Sequence, residues 1–271
     1  MLWLMLLLTF IIVTCSNPTF AKTSSEWVND SILLYEQGDY NRAIEVIDKA
    51  IAIDPDNAYA WDVKGCALHR LNRYEEAIEA YDEATSVDPD HSDAWRNKGN
   101  SLAELNRFEE AIEAYNRAIA INHNDAETWY DKGISLYILG QYEEAIKAYD
   151  GAIALDPDYA DAWNNKGFTL ATLGRYEEAI EAYDVAIGID PDHPFALNNR
   201  ETALEAIKDT PIDPFFVLLI SIIFILIVLF ILAEMKYRGE KIEFCNIFWD
   251  YYYYYFNFMF KTFKFRFDKY F

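Results

Sequence analysis

An all-α solenoid is the fold class this sequence predicts, and three observations predict it. Shifting residues 160–193 back by 34 positions lands repeatedly on near-copies of the same stretch, and a fixed period in this range means one supersecondary unit stacked on itself. Each copy holds two segments whose apolar residues recur at helical spacing. Between and after those segments stand residues that stop helices, Gly174 in the middle and Asp190-Pro191-Asp192 at the end of the last copy.

The first segment of the unit carries Trp163, Gly167, Leu170 and Leu173 on one face, which makes it an amphipathic helix. Gly174 falls where that helix must end and the chain turn over, a place for a residue free to take positive φ. The second segment carries Tyr176, Ala179, Ile180, Tyr183, Ala186 and Ile187 on one face and opens on Glu177 and Glu178, where the helix dipole favours carboxylates. Asp190-Pro191-Asp192 closes it, because proline disfavours helical φ/ψ in the residue before it; Asp192 is then expected to cap the next helix. Gly167 and Ala179 are small enough for the two helices to approach closely.

The repetition is regular along the chain. Trp163 recurs as Trp129, Trp95, Trp61 and Trp27; Gly167 as Gly133, Gly99 and Gly65, with Ser31 in the first copy. Ala179 recurs as Ala145, Ala111, Ala77 and Ala43, Tyr183 as Tyr149, Tyr115, Tyr81 and Ile47, and Pro191 as Pro157, Pro89 and Pro55, with His123 replacing it in the third copy. This Trp, Leu, Gly, Tyr, Ala, Tyr, Ala, Pro pattern resembles the tetratricopeptide repeat (TPR) family. The resemblance covers five repeats, residues 24–57, 58–91, 92–125, 126–159 and 160–193. It implies a right-handed superhelical solenoid of helix hairpins. Residues 194–208, with Leu197 at the Trp position and Glu201 at the Gly position, read as a solvating cap helix. Repeats this alike resemble archaeal and bacterial members of the family.

Composition narrows the function. Residues 235–271 hold seven Lys/Arg and four Asp/Glu, so the remainder of the chain carries a net charge of −25. An array so acidic is a poor nucleic-acid binder, and its Glu-rich faces read as a solvated convex surface. Cys15, Cys66 and Cys245 fall in different segments and form neither a disulfide framework nor a metal-binding pattern. The four histidines are His69, His91, His123 and His193, of which the last three lie at repeat ends, where exposed turn residues are expected. The Asp-Pro-Asp stretches lack the spacing of a calcium loop. With no nucleophile elbow, no phosphate-binding Gly loop and no HExxH, no enzyme chemistry, cofactor or metal is expected.

Outside the repeats the chain is apolar or aromatic. Residues 1–21 read as a signal peptide, with an apolar core from Leu2 to Val13 and Thr19-Phe20-Ala21 as cleavage site; an uncleaved N-terminal anchor is the alternative. Residues 215–233 hold Ser221 as their single polar side chain, and 19 residues at the helical rise span about 28 Å, enough for one transmembrane helix. Lys236, Arg238 and Lys241 follow this segment and Asp209 and Asp213 precede it, which puts the C-terminus in the cytoplasm and the array outside. The tail, residues 234–271, has 15 aromatic residues among its last 24 and alternates Phe263, Lys264, Phe265, Arg266 and Phe267, a composition suited to the inner membrane face.

Function must then come from a surface. In TPR proteins the first helices commonly line a concave face that binds an extended peptide or a partner helix, and positions 5, 9, 12 and 13 of each unit face it. Here the resemblance assigns Val28, Ile32, Tyr35, Asp62, Cys66, His69, Arg70, Arg96, Asn100, Glu104, Tyr130, Ile134, Tyr137, Asn164, Phe168 and Thr172 to that face. Arg96 and Asn100 resemble part of the carboxylate clamp of chaperone-binding members, but Ile134, Phe168 and Thr172 stand where its other polar and basic residues would be, so no full clamp is expected. The expectation is a single-pass membrane scaffold that binds a protein or peptide. The alternative is a non-catalytic assembly subunit of an envelope enzyme or secretion complex.

Overall fold

The computed structural model describes residues 22–209, and beyond them Leu219, Ile222, Ile223, Ile225, Leu226, Ile227, Leu229 and Phe230, which are helical and exposed. The expected leader, the tail and the remainder of the expected membrane span lie outside the described residues. Among the described residues no helix is long and apolar enough to cross a membrane.

Eleven helices follow one another in the described array. The first helices of the five hairpins are α1 (Ser24–Glu36), α3 (Ala58–Arg70), α5 (Ser92–Glu104), α7 (Ala126–Ile138) and α9 (Ala160–Thr172). Their partners are α2 (Tyr40–Ile53), α4 (Tyr74–Val87), α6 (Phe108–Ile121), α8 (Tyr142–Leu155) and α10 (Tyr176–Ile189), and α11 (Ala196–Asp209) packs on α10. Each first helix also touches the first helix of the next hairpin, whereas successive second helices make no comparable contact. The stack therefore curves with its first helices on the inside, which fixes the concave face.

The turn inside each hairpin is set by one residue at positive φ: Gly38, Asn72, Asn106, Gly140 or Gly174. Glycine meets this requirement without strain, and asparagine is the next best tolerated residue. The amide of the following residue then donates to a carbonyl five residues back, as in Gln141 to Leu136 and Arg175 to Leu170, both 2.9 Å, which satisfies the helix end. Between hairpins the chain turns at an extended residue whose side chain accepts from the amide two residues on, Asp88 from Asp90, Asp156 from Asp158 and Asp190 from Asp192, each at 3.1 Å. Asn122 does the same for Asn124 at 3.2 Å, so His123 in place of proline leaves this turn unchanged.

One expectation is corrected at this junction. Asp192 does not cap the next helix, which starts too late for it to reach; His193 does, its Nδ1 accepting from the amide of Ala196 at 3.2 Å. Asn57, His91 and Asp125 take the same place before α3, α5 and α7. His193 is accordingly buried, with Nε2 at 3.1 Å from Asp161 Oδ1, and is not the exposed turn residue its position suggested.

The core repeats with the sequence. Ala43, Ala77, Ala111, Ala145 and Ala179 are fully buried between the paired helices. The rings of Tyr81, Tyr115, Tyr149 and Tyr183 press against Gly65, Gly99, Gly133 and Gly167, closer than any Cβ would permit. In the first hairpin both partners change together: Ile47 replaces the ring, and the Ser31 hydroxyl fills the space and donates to the Ala43 carbonyl at 2.9 Å.

Neighbouring hairpins are tied on the outside by a second repeating device. The indoles of Trp61, Trp95 and Trp163 donate to the carbonyls of Pro55, Pro89 and Pro157 at 2.9–3.0 Å. Lys64, Lys98 and Lys166 lie over those indoles and reach Asp48, Asp82 and Asp150 of the preceding hairpin at 2.5–2.7 Å. Lys132 lies over Trp129, but Asn116 stands where its acid would be, and burial lowers its pKa.

Candidate functional site: the concave face

Side chains from the first helices divide the concave face into three zones. At the N-terminal end Tyr35 meets Tyr40 edge to face at 5.2 Å, and Arg70 donates to the Tyr40 hydroxyl at 3.3 Å while lying over its ring. The zone continues to His69, whose Nδ1 is 2.9 Å from Ser101 Oγ. Burial pushes the His69 pKa down, so its ring stays neutral near pH 7.

The central zone is polar and acidic. Arg96 pairs with Glu127 at 2.5 Å, Asp125 at 3.7 Å and Asp93 at 4.0 Å, and its Nε is buried without an acceptor among the described residues. Its charge is thus already balanced, which removes it as a receptor for a peptide carboxylate. Asn100 accepts from the Tyr115 hydroxyl at 2.7 Å and hydrogen-bonds to Asp131. Burial raises the Asp131 carboxyl to about 6, against the attraction of Arg96. Asp62 is buried and raised for the same reason, with the amide of Asn97 donating to it at 3.0 Å. Neither Asp62 nor Asp131 has a salt bridge among the described residues. Cys66, raised to about 12 by burial, is an inert thiol here.

The C-terminal zone is aromatic. Tyr137 contacts Phe168 across two successive first helices at 5.6 Å and Tyr142 at 5.4 Å. Tyr130 contacts Tyr159 at 4.9 Å and Tyr149 at 6.0 Å. Ile134 packs into the same cluster, yet Phe168 remains 44% exposed and Ile138 51% exposed. Asn164 is buried, its Oδ1 accepting from Asn199 at 3.0 Å, so it joins hairpins and offers little to a ligand.

Of the residues assigned to this face from sequence, Arg96 and Asn100 are brought together with Asp131, and Tyr130, Ile134, Tyr137 and Phe168 form one cluster. Tyr35 and Arg70 form another at the far end. Sequence reasoning missed position 6. Asn97, Asn165 and Asn199 each donate to a position-5 side chain of the preceding hairpin, Asp62, Tyr130 and Asn164, all at 3.0 Å. The signal available was a polar residue recurring at 34-residue steps beside a packing face.

Residues 31–85, 63–126 and 130–194 match the tetratricopeptide repeat family. The chain belongs to that family. Among solved structures this TPR array is similar to YrrB, described as a TPR protein with an unusual peptide-binding site, at 30% identity over 65% of this chain and 90% of YrrB, with a TM-score of 0.57. It also resembles MamA from Desulfovibrio magneticus RS-1, at 20% identity over 65% of this chain and 99% of the other, with a TM-score of 0.59. A TPR protein from Parabacteroides merdae ATCC 43184 shares 20% identity over 68% of this chain and 73% of its own, with a TM-score of 0.60. No curated protein matches the chain.

Proposed function

We propose that this protein is a membrane-held TPR scaffold whose concave face binds an extended peptide or a partner helix. The observation that carries this reading is the aromatic zone. Tyr137 and Phe168 come within 5.6 Å on the inner face, and Phe168 keeps 44% of its surface in water. A large apolar side chain held open on a rigid inner surface is an anchor point for a ligand side chain. The resemblance to YrrB supports the same use of the fold, and non-catalytic binding is the general role of the family. The apolar stretch at residues 215–233 with its basic C-terminal flank supports an anchor in a cell membrane, the array outside and the tail at the cytoplasmic surface.

The topology is tested with single cysteines, one in place of Glu144 and one in place of Asn257, in a version lacking Cys15, Cys66 and Cys245. Labelling of intact cells with an impermeant thiol reagent is expected at 144 alone. Labelling at 257 alone, or at neither site, overturns the external placement.

A further inference from the structure

Resting on the reading of the concave face as a peptide site, we propose that it selects ligands pairing a basic side chain with an aromatic or aliphatic one. Two neighbouring zones carry this. In the central zone a single guanidinium, Arg96, is shared among Glu127, Asp125 and Asp93, and Asp131 lies beside them with no salt bridge among the described residues. The charge there is negative after every internal pairing is made. An acidic ligand would add another carboxylate to a surplus, whereas an ammonium or guanidinium group would offset it.

The aromatic zone begins on the same helix. Asp131 and Tyr137 both lie on α7, and six residues turn a helix by about 240°, so Asp131 faces α5, where it meets Asn100, and Tyr137 faces α9, where it meets Phe168. A peptide running across α7 on the inner face would meet Asp131 on one side of that helix and Tyr137 and Phe168 on the other. The protein also bears a cost for keeping Asp131: burial raises its carboxyl to about 6, so near neutral pH it is held charged in a place that disfavours charge. Facing it are Arg96 and Asn100 of α5, Asp125 and Glu127 at the start of α7, and the hydroxyls of Tyr115, Tyr130 and Tyr159. Arg96 is the one cation among these groups, and it is already engaged.

The test is a selection of random, amide-capped peptides on the full chain held in nanodiscs, followed by affinity measurement on wild type, Asp131→Asn, Tyr137→Ala and Phe168→Ala. The expected winners carry Lys or Arg with an aromatic or aliphatic partner, and bind on the order of tenfold more weakly to Asp131→Asn and to Phe168→Ala. Wild type is measured as well, so that a folding defect cannot decide the matter: binding of these peptides must weaken with added salt, and again as pH falls through about 6 and Asp131 gains its proton. Winners that need Phe168 but are acidic or uncharged, or that bind Asp131→Asn as well as wild type, overturn the charge selection and leave the groove standing. Winners indifferent to both Tyr137→Ala and Phe168→Ala, or no winners at all, overturn the groove itself.

Discussion

The ring of Tyr149 occupies the space where a side chain on Gly133 would begin: a Cβ there would stand 2.5 Å from Tyr149 Cε1. The ring is fully buried between two helices and cannot swing away. Gly133→Ala is therefore expected to destabilise the array by about 1–3 kcal/mol through overpacking, and Gly133→Leu by more. Urea denaturation followed by circular dichroism checks this, with the midpoint falling for both variants. In the first hairpin the pairing is Ser31 with Ile47, and Ser31→Ala there leaves the Ala43 carbonyl without that donor, an expected loss of about 1 kcal/mol.

Lys132 lacks the acid that its equivalents have. Lys64, Lys98 and Lys166 each reach an aspartate 16 residues earlier, and Asn116 occupies that place for Lys132. Asn116→Asp should stabilise the junction of the third and fourth hairpins by about 0.3–1 kcal/mol, the range for a pair whose acid is half in water. A rise in melting temperature at low salt that shrinks at high salt checks it.

Asp131 gives the array a pH dependence of definite sign. Its folded pKa of about 6 lies above the model-peptide value of 3.8, so the folded state holds the proton more tightly. Such a group weakens folding above about pH 6, and the penalty disappears as pH falls from about 6 towards 4. Asp131→Asn, which keeps the shape and can still meet Asn100, is expected to stabilise the array by about 1–2 kcal/mol near pH 7.5 and to have little effect near pH 4. Melting curves of both proteins at the two pH values check the sign. A stabilising substitution at a residue needed for binding is the usual mark of a site maintained for function.

The repeat period exposes most of the fold because the same contact is written several times. Trp163, Gly167 and Tyr183 can be assigned packing roles from their recurrence, and Gly174 as a turn because only glycine takes positive φ freely. Asn72 and Asn106 do the same work less visibly, since asparagine has many other uses. The cap of α11 is not legible in the sequence because Asp192 and His193 both offer an acceptor, and only the helix start decides between them. On the concave face Tyr137 and Phe168 follow from the period. The bonds from Asn97, Asn165 and Asn199 do not, because each crosses 35 residues, one more than the repeat, and aligning the copies conceals it. That Asp131 has no salt bridge among the described residues depends on how Arg96 is shared, which only three-dimensional placement reveals.

The most direct test of the concave face as the binding surface is photo-crosslinking in cells. A photoreactive residue replaces Phe168 on the inner face in one version, and Glu181, exposed on α10, in another. A discrete adduct is expected from position 168, diminished by Tyr137→Ala, and none from position 181. Equal adducts from both positions, or an adduct from 181 alone, would contradict a concave binding surface.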